Sequence, residues 1–255
     1  MAAKMQERRS RQARRYERAR RRALREAERR AREAAIAEAS RERFVYPELR
    51  DFAAAVGVAA DVAVPAAEAA AAARLAAGGG ASGGGGRADT PSWLELFCAI
   101  ADQVPYSIML VDMNVSGLPL TFCNVAACRL TGYEREEMVG RNCRFMQGRR
   151  TQGAAVRAFA KAIREAAPAT VVVTNFRKDG SEFSNLVALQ PIFGEAGYLY
   201  SVAVQCENDE AAETQEWFHK LRAALPPRVS TLRDVHAARA AASADAAAVL
   251  SLIHI

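Results

Sequence analysis

Three apolar runs, Ala169–Arg177, Glu182–Phe193 and Tyr198–Cys206, follow one another with only tight-turn signals between them. Asp179-Gly180 separates the first two, and Glu195-Ala196-Gly197 the last two. Links this short join antiparallel neighbours, because a parallel pair needs a crossover of a dozen or more residues. Two earlier runs, Tyr106–Asp112 and Leu120–Asn124, alternate like strands, and short helical segments lie between Ala126 and Ala166. Two strands, small helices and three more strands predict an α+β fold. The expected core is a five-stranded antiparallel sheet with short helices on one face.

Around this block the pattern changes. Thr90-Pro91 reads as a cap and first helical position, followed by Trp93, Phe97 and Ile100 at helical spacing. After the last strand a helix is expected from Asn208 or Asp209 to the stop at Pro226-Pro227, with Trp217, Phe218, Leu221, Ala224 and Leu225 on one face. Upstream, GGGASGGGG from Gly78 to Gly86 has the composition of a flexible tether. Tyr46 to Pro65 reads as irregular, and Ala66 to Ala77 as a helix of alanine. The expected division is an arm over 1–50, an Ala/Gly-rich linker over 51–90, the sheet domain over 91–207, a flanking helix over 208–226 and an alanine-rich tail over 227–255.

Charge separates the arm from the rest. Residues 1–50 hold 17 Lys and Arg against 8 Asp and Glu, while the remainder of the chain is slightly acidic. The alkaline pI of about 9.3 therefore belongs to the arm. From Met5 to about Arg43 every residue type favours helix, and pairs such as Glu17/Arg21 and Glu28/Arg32 stand in the stabilising order. With no apolar stripe, residues 1–43 are expected to be solvated or to bind nucleic acid or another acidic partner. The five cysteines have no zinc-type spacing, so a reducing intracellular compartment, cytoplasmic or nuclear, is expected and no metal site. No apolar run reaches membrane-spanning length. The last six residues, LSLIHI, are what the adapter stretch CTGTCTCTTATACACATC would encode in frame, so the natural chain is expected to differ beyond about Val249.

The segment TGYEREEMVGRNCRFMQG, from Thr131 to Gly148, resembles the signature of the LOV (light-oxygen-voltage) subfamily of PAS domains, usually GRNCRFLQG at its core. NFRKDG from Asn175, FSNL from Phe183 and VQ ending at Gln205 match in the same order. The resemblance implies a PAS fold holding one FMN, and blue-light sensing through a reversible bond between a cysteine sulfur and the flavin. No kinase, phosphodiesterase or other enzymatic output motif is recognisable in the sequence, so no enzyme is expected; signalling would pass to the flanking helices, which are also the expected contacts of a homodimer. Cys143 is the implied photoreactive thiol, Arg144 the phosphate ligand, and Asn142 and Gln147 ribityl contacts. Asn175 and Asn185 would meet the polar edge of the ring, and Gln205 would lie near flavin N(5).

The residue types suit these roles. A thiol is intrinsically nucleophilic yet mostly protonated at neutral pH. A guanidinium clamps phosphate in two places. Asparagines inside apolar strands are costly to bury unpaired. A lone buried cysteine would otherwise read as inert, and the asparagines as turn or strand-edge residues. Some positions depart from the resemblance. Ala160 stands where a second phosphate arginine is usual, with Arg157 or Lys161 as the expected substitute. Ser201 and Ser184 replace the usual phenylalanine and tryptophan. The arm followed by this domain also resembles the order in aureochromes, light-dependent transcription factors. However, Gln12 replaces the base-reading asparagine, and Arg30, Ala37 and Phe44 occupy zipper positions. Two other readings are thus a light-regulated DNA-binding factor, tested by gel shifts in dark and light, and a flavin-free PAS interaction module, which would be colourless.

Overall fold

A computed structural model describes residues 46–76, 91–208 and 212–230, together with the single residue Glu26. The expected arm with its partners, the glycine stretch and the tail beyond 230 otherwise lie outside the described residues.

The sheet has five antiparallel strands, β1 (Ser107–Asp112), β2 (Leu120–Cys123), β3 (Ala169–Phe176), β4 (Glu182–Gly194) and β5 (Gly197–Glu207), in the order β2-β1-β5-β4-β3. Each expected strand is present within a residue or two. Because side chains alternate across a pleated strand, each strand divides its residues between two faces. Ile108, Leu110, Leu186, Ala188, Ile192, Val202, Val204 and Cys206 belong to one cluster. Met109, Val111, Val187, Leu189 and Ala203 point the other way.

The first face is covered by flanking helices. Three lie upstream, α1 (Pro47–Val56), α2 (Ala60–Ala76) and α3 (Trp93–Ala101). This corrects the reading of Tyr46–Pro65 as irregular: much of the stretch expected as linker is a packed helical layer. Pro47 sits at the first turn, Gly57 closes α1 in the left-handed region at φ 75°, and Leu49, Phe52, Ala53 and Val56 are buried. In α2 the alanines are patterned: Ala60, Ala63, Ala67 and Ala71 are buried at spacings of three and four. Small side chains let α2 approach α3 closely. The start of α3 is also corrected. Its cap is Ser92, whose hydroxyl accepts from the Glu95 backbone N–H at 3.2 Å while the Glu95 carboxylate accepts from that of Ser92 at 2.7 Å.

Trp93, Phe97 and Phe52 stack in sequence, with centroids 5.1 and 5.6 Å apart. The last helix of the chain's described part, Ala212–Ala224, inserts Phe218 and Leu221 into the same cluster, with Trp217 against Tyr106 at 6.0 Å. Its exit is fastened twice. Phe193 donates its backbone N–H to Pro227 at 3.0 Å and accepts from Val229 at 2.8 Å. The Glu48 carboxylate accepts from Trp93 Nε1 at 3.1 Å and from the Ser230 backbone at 2.8 Å. The apolar faces of α1, α3 and the last helix are thus occupied within the chain.

The second face carries α4 (Val125–Thr131), α5 (Arg135–Met138), a 3-10 turn (Cys143–Met146) and α6 (Gly153–Glu165). The last helix, Ala212–Ala224, is α7. Asn124, wholly buried, joins the two layers: Oδ1 accepts from Ile108 and Ala127, and Nδ2 donates to Ala101 and Tyr106. No helix among the described residues is long and apolar enough to cross a membrane.

Candidate functional site

Between the second sheet face, the 3-10 turn and α6 lies a cavity partly open to solvent. The sheet supplies a mostly apolar floor: Met109, Val111, Val173, Val187, Leu189 and Ala203. One face of α6, Val156, Phe159, Ala160 and Ile163, forms a wall. Asn142, Cys143, Arg144, Met146 and Gln147 line the opposite side from the turn.

The sequence shapes that turn locally. Asn142 caps it: Oδ1 accepts from the Arg144 backbone at 3.1 Å, and Nδ2 donates to the carbonyls of Gly117 and Leu118 at 2.7 and 3.3 Å. The turn is closed by Gln147, and the next residue must be small because the chain there touches Phe176: a Cβ on Gly148 would lie 2.4 Å from the ring. Thr151 and Gln152 then bind Thr174 of β3, which fixes the approach to α6. Cys143 is thereby held in the wall, half-buried and free of any disulfide. Burial pushes its thiol up from the ordinary range, against the opposing charge of Arg144.

The closed end is polar. Asn175 Nδ2 donates to the Met146 carbonyl at 3.2 Å, and Asn175 Oδ1 accepts from Asn185 Nδ2 at 2.9 Å. The same Asn185 nitrogen donates to Gln205 Oε1 at 2.8 Å. Three amides therefore form one chain from β5 back to the turn that carries Cys143. Asn185 itself stands behind the cavity lining, wholly buried, and its Oδ1 has no partner. Unpaired acceptors at such depth cost free energy, so this oxygen calls for a donor that the described residues do not supply.

Most residues singled out from sequence thus meet at one cavity: Asn142, Cys143, Arg144, Gln147, Asn175 and Gln205 line it, with Asn185 behind them. Arg157 is not there. It is exposed, with its guanidinium over Gly153, while Ala160 of the next turn faces the cavity. Lys161 is exposed as well. Ser201 lines the cavity, so its small side chain leaves room there. Sequence reasoning missed Ser107, whose buried hydroxyl lacks a partner and whose register partner is Gln205. A serine at the start of an apolar strand was the available signal. Asn124 was also missed.

Residues 105–208 match the sequence profile of the PAS domain family. This part of the chain is a PAS domain. Its relatives identify the subfamily as LOV. Blue-light-activated histidine kinase 1 of Erythrobacter litoralis is 41% identical over 104 residues, 41% of this chain and 29% of that protein. A blue-light photoreceptor of Listeria monocytogenes is 36% identical over 98 residues, 38% of this chain and 39% of that protein. A solved LOV domain from the EL346 blue-light-activated histidine kinase of Erythrobacter litoralis shares 35% identity, covering 42% of this chain and 100% of its own, with a TM-score of 0.40. The chain spans well under half the length of the curated relatives it matches.

Proposed function

We propose that this chain senses blue light through a flavin, FMN in the first instance, held in the cavity beside Cys143. The observation that carries the proposal is the pairing of a thiol in the cavity wall with an amide chain whose Asn185 Oδ1 awaits a donor. A flavin fits both. Its flat ring suits the apolar floor, and its imide edge offers the N–H that such an oxygen lacks. When bound, a flavin absorbs blue light and in its excited state becomes reactive toward a nearby thiol.

This chain's residues would then do the following. Cys143 supplies the sulfur and its proton. Because burial raises its pKa, the thiol stays protonated at neutral pH and inert in the dark. Asn175 and Asn185 orient the ring edge, Asn142 and Gln147 meet the polyol, and Arg144 meets the phosphate. Gln205 reports the event: one end of its amide accepts and the other donates, so it can answer a donor–acceptor change at the ring by rotating. Rotation would set Gln205 Nε2 against Asn185 Nδ2, two donors facing each other, a mismatch local to the end of β5 that leaves its ladder paired. The strand leads within a few residues into α7, the proposed output element.

The cycle regenerates its starting state and converts no substrate, so the domain is read as a sensor. All five cysteines are free thiols, which supports a reducing, intracellular setting. The test is the visible spectrum of the purified chain. A blue-absorbing band that bleaches under blue light and recovers in the dark is expected; a colourless protein that takes up no flavin would refute the proposal.

A further inference from the structure

We propose that the cavity selects its flavin by ring and polyol rather than by the terminal phosphate, so that riboflavin is a ligand in its own right. This rests on the flavin reading above. Among the cavity's lining residues Arg144 is the one charged side chain, and it is exposed. An ion pair made there stands in water, where its strength is small and screened by salt.

The other wall presents no second cation on its cavity face. The face of α6 toward the cavity is apolar at Val156, Phe159, Ala160 and Ile163, and its basic residues, Arg157, Lys161 and Arg164, are exposed one position further round. At spacings of three and four the first set shares a face that the second does not. Arg157 is placed over the Gly153 backbone, 3.3 Å from where a Cβ would lie. The polar groups at depth, Asn175, Gln205 and the unpartnered Asn185 oxygen, are by contrast buried. Discrimination at the buried end is therefore strong and at the mouth weak.

Titrating the full chain, freed of ligand, with riboflavin and with FMN at low and physiological salt tests this. The two dissociation constants should agree within about tenfold, the ratio expected for an exposed ion pair, and converge as salt rises. In Ala160→Arg, FMN should tighten about tenfold and riboflavin stay unchanged, its retained binding showing that the variant folds. A preference for FMN above a hundredfold in the native chain, or equal tightening of both ligands in the variant, would overturn the inference while leaving the flavin reading intact. Binding of neither ligand would remove both.

Discussion

The two faces of one sheet are built to opposite ends. The face toward α1, α3 and α7 is filled with stacked rings and close helix contacts, and Phe52, Phe97, Phe218 and Leu221 are almost wholly buried. The face toward α6 keeps a cavity, and Asn185 Oδ1 and Ser107 Oγ are left unpaired. A protein interior is normally close-packed and its polar atoms satisfied. Departures confined to one face suit it to the proposed ligand, and leave the other to set stability and to carry the proposed response.

The sharpest break between the faces is at Cys143. Cys143→Ala removes the nucleophile and few binding contacts, so the variant should hold flavin with an unchanged dark spectrum and lose the light-induced bleach entirely. A normal bleach in this variant would reassign the reactive group.

Packing gives the next largest effect. Phe97→Ala, between Trp93 and Phe52, should cost about 3–5 kcal/mol in denaturant unfolding. Phe159→Ala in the cavity wall should cost the ligand-free chain clearly less, since a wall beside a void lacks partner atoms on one side. Equal losses would erase the distinction between the faces.

Alkaline pH acts on both. Burial holds the Cys98 and Cys123 thiols near about 12, against an ordinary value of 9.0. Above pH 9 the unfolded chain releases these protons and the folded chain retains them. The stability present below pH 9 is therefore lost as pH rises toward 12, at up to about 1.4 kcal/mol per pH unit for each thiol. Cys123→Ala should flatten the decline measured by chemical unfolding between pH 9 and 11; an unchanged slope would mean that this thiol ionises freely.

A smaller effect is expected at Glu48, which fastens α1 to Trp93 and to Ser230 beyond α7. Glu48→Ala should cost about 1–2 kcal/mol and raise dark exchange at the α7 amides more than in β1 and β5. A uniform rise throughout would make Glu48 a general stabiliser without a hold on α7.

Much of this was legible in the chain. The five strands were readable because alternation and turn residues are local signals, and the cavity's polar residues because a dense motif surrounds Cys143. Of the helical layer over 47–76 only the alanine run from Ala66 was legible as helix, and its packing was not, since alanine-rich composition masked the buried spacing of Ala60, Ala63, Ala67 and Ala71. Position Arg157 was misjudged by one step round a helix, where a single residue moves a side chain by about 100°. Ser107 and Asn124 act through partners distant in sequence, which no local pattern displays.

The central claim is that an event on the cavity face loosens the opposite face through β5. A complete swing from 1:99 to 99:1 takes about 5.5 kcal/mol, more than one rotated amide supplies at about 1–3 kcal/mol, so the release of α7 should be partial. Hydrogen exchange over residues 212–225, compared in dark and in blue light, tests this directly. The account predicts faster exchange in the light while β1 and β5 stay protected, with the difference blunted in Gln205→Leu although that variant still bleaches. Equal protection of α7 in dark and light in the native chain would contradict it.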